Sequence, residues 1–152
     1  MRICIVLPKH WSTAPGGAEY QAELIARHLA RSKSLEVFFL AKEFAGSEEA
    51  EYRRIRVGSR LPMKAAKGMV LDAPRLWSKL AQIRPDVVYQ RVGCAYTGYC
   101  GVYSKVARCR FVWHVAHDYD VVPNEFAGTG SRGSVWLEKR LLEMGVRYAT
   151  TI

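Results

Sequence analysis

The sequence predicts an open, parallel α/β sheet with helices on both faces, and three observations carry that prediction. The chain begins with a continuous apolar run, Ile3–Leu7 (ICIVL), stopped by Pro8. A second run, Leu35–Leu40 (LEVFFL), follows an amphipathic stretch with Ala18, Ala22, Ile25 and Leu29 along one face. Two more runs, Asp86–Arg91 (DVVYQR) and Arg110–Ala116 (RFVWHVA), are again separated by a helical segment. Runs that are continuous rather than alternating suit strands covered on both faces, and strand–helix–strand alternation builds parallel βαβ units. At 152 residues the chain makes one domain with a proper core.

Each element has its own local signal. The first strand leads through a long loop holding Lys9, His10 and Trp11 to Gly16–Gly17, and the first helix starts there. Only Ser32–Ser34 separates that helix from the second strand. Gly46–Glu51 is polar and acidic, a loop, and Tyr52–Val57 (YRRIRV) alternates, which predicts a short, half-exposed strand. Met63–Leu71 predicts a helical turn or two. Asp72 then caps a separate helix with Pro74 in its first turn, a buried stripe of Leu76, Trp77, Leu80 and Ile83, and Arg84–Pro85 as its end. Val92–Thr97 reads as a loop into a helix through Val102, Val106 and Ala107. His117–Asp118 stands at the carboxyl end of the last full strand, and Val121–Gly133 reads as a mobile surface loop beside a cleft. Ser134 is expected to cap a final helix with Val135, Leu137, Leu141, Leu142 and Val146 as its apolar positions, and Tyr148–Ile152 opens one more strand. A domain seldom stops so soon into a strand, so the expectation is a single Rossmann-like domain over residues 1–152 at the N-terminal end of a longer protein.

Composition excludes several classes. No apolar run approaches the roughly 20 residues a membrane helix needs, and the N-terminus enters a strand directly, unlike a secretory leader. The expected location is cytoplasmic. Cys4, Cys94, Cys100 and Cys109 lack the spacing of a zinc or redox motif and are read as small buried side chains, so no metal site is expected. A net charge of +9 permits nucleic acid, an anionic membrane surface or phosphorylated ligands as partners. It is densest at Arg53, Arg54, Arg56, Arg60, Lys64 and Lys67, with a second group at Arg132, Lys139, Arg140 and Arg147. No helix-turn-helix, zinc-finger or RNP-type pattern accompanies them, so no specific nucleic acid is expected. An anionic membrane surface or ligand stays open beside the reading that these are solvated faces.

The candidate site lies where carboxyl ends of parallel strands meet. Gly16–Gly17 at a helix N-terminus offers unsatisfied N–H groups and a close backbone approach, which suits a phosphate or carboxylate; it equally suits a tight turn. Arg91 can pair with an anion through its planar fork or form a structural salt bridge. His117 beside Asp118 can donate to a hydroxyl or act as a general base, or Asp118 can merely cap a turn. Trp11 can stack on a sugar or close the loop over the core, while His114 reads as structural. A dinucleotide fingerprint would place G-x-G-x-x-G directly after the first strand; here the loop is long with a single glycine pair. No P-loop pattern and no G-x-S-x-G nucleophile occur.

The ordered set resembles the N-terminal domain of family-4, retaining glycosyltransferases of the two-domain GT-B fold. The residues that carry the resemblance are the first strand with Pro8, the long loop, Gly16–Glu19 (GGAE) and the helix YQAELIARHLA. They continue with Arg84–Tyr89 (RPDVVY) and a hydrophobic strand ending in His117–Asp118. One departure is SKSLEV, where such enzymes often carry a Gly-His pair before the second strand. The resemblance implies a hexosyltransferase-type enzyme moving a sugar from a nucleotide-diphosphate donor to an acceptor hydroxyl of a glycan or lipid-linked molecule, without a cofactor or metal. It implies donor-diphosphate contacts at Gly16 and Gly17 and a catalytic position for His117 near the transferred sugar. Acceptor contacts would fall to His10, Trp11, Arg91 and Asp118. It also implies that most of the donor site, including a nucleotide-sugar-binding C-terminal domain, lies outside these residues, so that they fold but do not turn over alone. The alternative is a stand-alone anion- or nucleotide-binding α/β module without catalysis.

Overall fold

A computed structural model of the protein describes residues 1–46, 50–59, 65–116 and 132–151. The five predicted strands form, as β1 (Arg2–Val6), β2 (Glu36–Ala41), β3 (Arg53–Arg56), β4 (Val87–Arg91) and β5 (Arg110–His114). All pair in parallel, in the order β3-β2-β1-β4-β5. Helix α1 (Gly17–Ala30) lies on one face; α2 (Ala65–Ile83), α3 (Ala95–Ala107) and α4 (Arg132–Tyr148) lie on the other. The central strands are apolar on both sides because both sides are covered. Ile3, Ile5, Val37 and Phe39 meet Ala22 and Ala26 of α1, while Cys4, Val6, Phe38 and Leu40 join a core with Leu76, Leu80, Tyr96 and Leu142.

Beyond β5 the chain pairs once more. Thr151 bridges Val112 in parallel, and its carbonyl accepts from the Trp113 N–H at 3.0 Å. That agrees with a further strand opening near the end of the sequence, although Tyr148 itself still belongs to α4.

Three helix expectations need correction. Residues Ala65–Ile83 form one helix running through Pro74, so Asp72 caps nothing. Its carboxylate is buried and accepts from the Ser59 N–H at 2.7 Å and the Tyr96 hydroxyl at 2.8 Å, with Lys42 Nζ 3.4 Å away. Asp72 thus ties α2 to α3 and to the residue after β2. Helix α3 begins at Ala95, inside the expected Val92–Thr97 loop, and the expected helix residues Val106 (69% exposed) and Ala107 lie on its outer side rather than in its packed face. Instead Gly98 and Gly101 let the α4 backbone approach so closely that a Cβ at Gly101 would lie 2.7 Å from Gly145 Cα. Periodicity of large apolar residues cannot register an interface built by omitting side chains. Helix α4 begins at Arg132, which leaves Ser134 inside the helix rather than at its cap.

Candidate functional site

The strand order sets the location. From β1 the chain crosses to β2 on one side, and from β4 it crosses to β5 on the other, so a crevice opens at the carboxyl ends between β1 and β4. Val6 and Gln90 are register partners there. The loop after β1 and the loop after β4 therefore form its two walls.

The β1 wall is held from beneath by a buried polar cluster. His10 is 1% exposed and packs against the rings of Phe39 and Phe44, 4.8 and 4.7 Å away. The Ser12 backbone N–H, which can only donate, points at His10 Nδ1 from 3.1 Å. Nδ1 is therefore the acceptor and the ring proton sits on Nε2, which donates to Glu23 Oε2 at 3.0 Å. The Tyr52 hydroxyl also donates to that oxygen, and Arg27 Nε reaches the other at 2.7 Å. Burial alone would raise the Glu23 carboxyl, but the hydrogen bonds from His10, Tyr52 and Arg27 outweigh it and hold it at about 2. Ser12 Oγ contacts His10 Nδ1 at 2.8 Å and accepts from the Ala45 N–H at 3.0 Å, fastening the loop to the segment after β2. His10 is thus a latch under the loop, with both ring nitrogens engaged by protein groups rather than turned into the crevice.

Above this base Gly16 is the extended N-cap of α1, with no side chain capping it. A Cβ at Gly16 would collide with the Glu19 carboxylate, which folds back toward the turn, whereas a Cβ at Gly17 would meet nothing within 4 Å. Helix α3, which starts at the other wall, differs. Its N-cap Cys94 forms a capping box with Thr97, and the buried Glu138 carboxylate takes the Ala95 N–H. Glu138 is raised chiefly by its burial. One helix N-terminus is thus filled by protein groups; at the other, among the described residues, no side chain caps Gly16, although the Glu19 carboxylate folds back beside it. Trp11 lies over α1, its ring 4.8 Å from that of Tyr20, both partly in solvent.

The β4 wall is strained and stapled. Val92 has φ 73°, a left-handed conformation that a β-branched residue adopts only under constraint. The constraint comes from Gln90, fully buried, whose Nε2 donates to the carbonyls of Arg91 and Val92 at 2.8 and 2.6 Å while its Oε1 accepts from Thr97 Oγ1 at 2.9 Å. Arg91 is 7% exposed and, among the described residues, its Nε has no hydrogen-bond partner. Arg91 Nη1 approaches His114 Nδ1 at 3.5 Å, and the Tyr89 hydroxyl lies 2.7 Å from the same nitrogen. Arginine can only donate, so Nδ1 accepts and the proton of the neutral His114 ring sits on Nε2. Burial and then the Arg91 charge lower the His114 pKa, keeping the ring neutral.

Of the residues singled out from sequence, Gly16, Gly17 and Trp11 lie on the β1 wall and Arg91 on the β4 wall. His10 lies beneath the first, and His117 and Asp118 fall outside the described residues. Sequence reasoning missed Glu23, Tyr52, Gln90 and Thr97. A glutamate on the buried stripe of α1 and a glutamine inside an apolar strand were the available signals. Nothing in the sequence marks Val92. Cys94 and Cys100 are no nucleophiles, since burial pushes Cys94 up to about 12 and Cys100 well above its ordinary value. Among the described residues no group of three or more His, Cys, Asp or Glu is placed to hold a metal, and no helix is long and apolar enough to cross a membrane.

Comparison with known proteins adds the following. A family model described as Glycosyltransferase Family 4 matches residues 15–152. Comparison with curated proteins finds no match. Among solved structures, the chain is similar to UDP-GlcNAc 2-epimerase from Neisseria meningitidis bound to UDP-GlcNAc, with a TM-score of 0.61, 11% identity, and 98% of this chain and 39% of that one covered. It is also similar to UDP-GlcNAc 2-epimerase from Methanocaldococcus jannaschii, with a TM-score of 0.55, 10% identity, and coverage of 99% and 38%. Identities this low speak for a shared fold alone. The chain spans about two fifths of the length of these structures.

Proposed function

The chain belongs to glycosyltransferase family 4, and from that premise we propose that it is the acceptor-side domain of a retaining, hexosyltransferase-type enzyme. The reaction would move a sugar from a nucleotide-diphosphate donor to a hydroxyl on a glycan or lipid-linked acceptor, as in polysaccharide biosynthesis. The nucleotide would be held mainly by a C-terminal domain outside residues 1–152, so this chain alone would bind weakly and not turn over. The proposed setting is the cytoplasm, with the basic surface resting against the inner membrane face.

The observation that supports the reading is the N-terminus of α1, in the loop that follows β1, where among the described residues no side chain caps Gly16 and nothing lies within 4 Å of a Cβ at Gly17. Backbone N–H groups of the first helical turn and the positive end of the helix dipole would receive the donor diphosphate there. That contact would stabilise the leaving nucleotide as the glycosidic bond breaks. On the facing wall Arg91, whose Nε has no partner among the described residues, and the exposed His114 would bind acceptor oxygens. Trp11 would offer a ring face to a sugar. His10 would keep the Gly16–Gly17 loop in place rather than touch the acceptor. His117 and Asp118 keep their proposed roles, catalytic and acceptor-binding respectively.

The test uses the complete enzyme with a panel of nucleotide sugars and an anomeric assignment of the product by NMR. Transfer with retention, together with a raised acceptor KM in Arg91→Ala, is the expected result. Turnover by residues 1–152 alone would overturn the division of labour between two domains.

A further inference from the structure

A second feature lies at the opposite edge of the sheet. A groove of about 860 Å³ opens where α2 and α3 end and β4 and β5 begin, lined by Trp77, Arg84, Asp86, Tyr103, Arg108 and Arg110 among others. A smaller hollow of about 380 Å³ extends it past Lys105 toward Tyr148. The floor is aromatic: the Trp77 and Tyr103 rings meet edge to face at 5.5 Å, and the Tyr103 hydroxyl is consumed by the Leu80 carbonyl at 2.9 Å. The rim is cationic. Arg84, Lys105, Arg108 and Arg110 are exposed, and among the described residues none of them forms an ion pair. The carboxylate in the groove, Asp86, already accepts the Arg2 N–H at 2.7 Å.

Two of these arginines stand where the backbone disfavours them. Arg84 and Arg108 have φ 52° and 56°, the left-handed conformation that follows a helix and that glycine adopts without cost. Helix closure does not need their side chains. The Arg84 N–H bonds to the Leu80 carbonyl at 2.8 Å, the Arg108 N–H to the Ser104 carbonyl, and the Ile83 carbonyl is taken by Arg2 Nη1 at 2.9 Å. Twice, then, a strained position carries a guanidinium without an ion-pair partner among the described residues, and both line one groove with Arg110.

We propose that this groove is a second ligand site, distinct from the crevice, which binds a phosphate ester. Guanidinium forks match phosphate oxygens in pairs, and the aromatic floor takes the apolar body to which the phosphate is attached. The volume suits a ligand of nucleotide or sugar-phosphate size. A soluble phosphorylated molecule and a phospholipid headgroup share this chemistry.

The experiment follows backbone amides by ¹⁵N–¹H NMR while inorganic pyrophosphate is added at constant ionic strength, set with chloride. Amides around Arg84 and Arg108–Arg110 should shift together and saturate. The double variant Arg84→Gly/Arg108→Gly should weaken that binding tenfold or more. Glycine relieves the left-handed backbone at both positions, so its melting temperature should hold or rise and misfolding cannot explain the loss. Phosphatidylcholine vesicles with and without phosphatidylglycerol separate the sources. If the double variant also loses sedimentation with the anionic vesicles, the ligand is a headgroup; if sedimentation is unchanged or absent, it is a soluble phosphate. Shifts produced equally by chloride alone, or pyrophosphate binding unchanged in the double variant, would overturn the site.

Discussion

Gly17→Ala separates a binding cradle from a mere turn, because fold and function should move in opposite directions. A methyl at Gly17 meets nothing within 4 Å, and the residue is already the first of α1 with no left-handed φ. Alanine is favoured over glycine in a helix by up to about 1 kcal/mol and lowers unfolded-chain entropy, so stability should rise by a few tenths to about 1 kcal/mol. For a domain of this size that is a melting temperature higher by roughly 1–4 °C. If the open space is where the donor diphosphate sits, the same methyl displaces an anion from the helix N–H groups. Losing one charge-assisted hydrogen bond costs about 1.5–3 kcal/mol, or roughly 10- to 150-fold in kcat/KM for the donor. Scanning calorimetry of the domain and steady-state transfer by the complete enzyme read the two quantities separately. A stabilised variant with unchanged donor kinetics would refute the cradle and leave Gly16–Gly17 as a turn. Gly16→Ala cannot make this distinction, since its methyl would first have to displace the Glu19 carboxylate.

Three further outcomes follow from the geometry. Glu23 is buried and held at about 2 against an ordinary 4.5. Its contribution, on the order of 3 kcal/mol, should be complete above pH 4.5 and disappear as the pH falls through about 2. Urea unfolding at several acid pH values should show that slope in the wild type and not in Glu23→Gln. Gly145→Ala should destabilise by more than about 2 kcal/mol, because its methyl meets the α3 backbone at Thr97 and Gly98, while Gly133→Ala on the same helix meets nothing and should be neutral or better. Equal melting temperatures for the two would contradict the close α3–α4 approach. His114 is lowered by burial and by Arg91, so the unfolded chain takes up its proton more readily than the folded one. Stability from this group is therefore intact above pH 6.5 and declines below it; an NMR titration should place its midpoint under 6.5, and Arg91→Met should move that midpoint upward.

The legible part of this protein is the part written in large apolar side chains. Ile3–Leu7, Leu35–Leu40, DVVYQR and RFVWHVA give four strands because each is a run with no alternation, and YRRIRV gives the fifth, edge strand because it alternates. The glycine pair and Arg91 stood out as chemistry at strand ends, and the fold places both at the β1–β4 crevice. What was not legible depends on three-dimensional closeness of residues far apart in sequence. Asp72 looks like a cap because aspartate before Ala-Pro usually is one; only the approach of Ser59 and Tyr96 makes it a buried anchor. His10 looks like a loop ligand until Glu23 and Tyr52 arrive from α1 and the start of β3. Glycines in α3 lower its apolar periodicity while creating its tightest contact.

The two walls of the crevice are rigid for the same physical reason. Each is a loop without regular hydrogen bonding, and each is fixed by a buried polar side chain from an adjacent element whose donors and acceptors are all used. Glu23 does this for the Gly16–Gly17 loop through His10 and Ser12; Gln90 does it for the Val92 turn through two carbonyls and Thr97. Buried groups of this kind cost heavily when their hydrogen bonds are broken, so they specify one geometry for the loops they hold. Fixed backbone donors need no reorganisation when charge arrives, which is the property a site for a departing diphosphate requires. A surface turn could hold two glycines without any such support. That a latch lies beneath the Gly16–Gly17 loop, and a staple beneath a strained valine opposite it, therefore favours a ligand between the two walls over a simple connection.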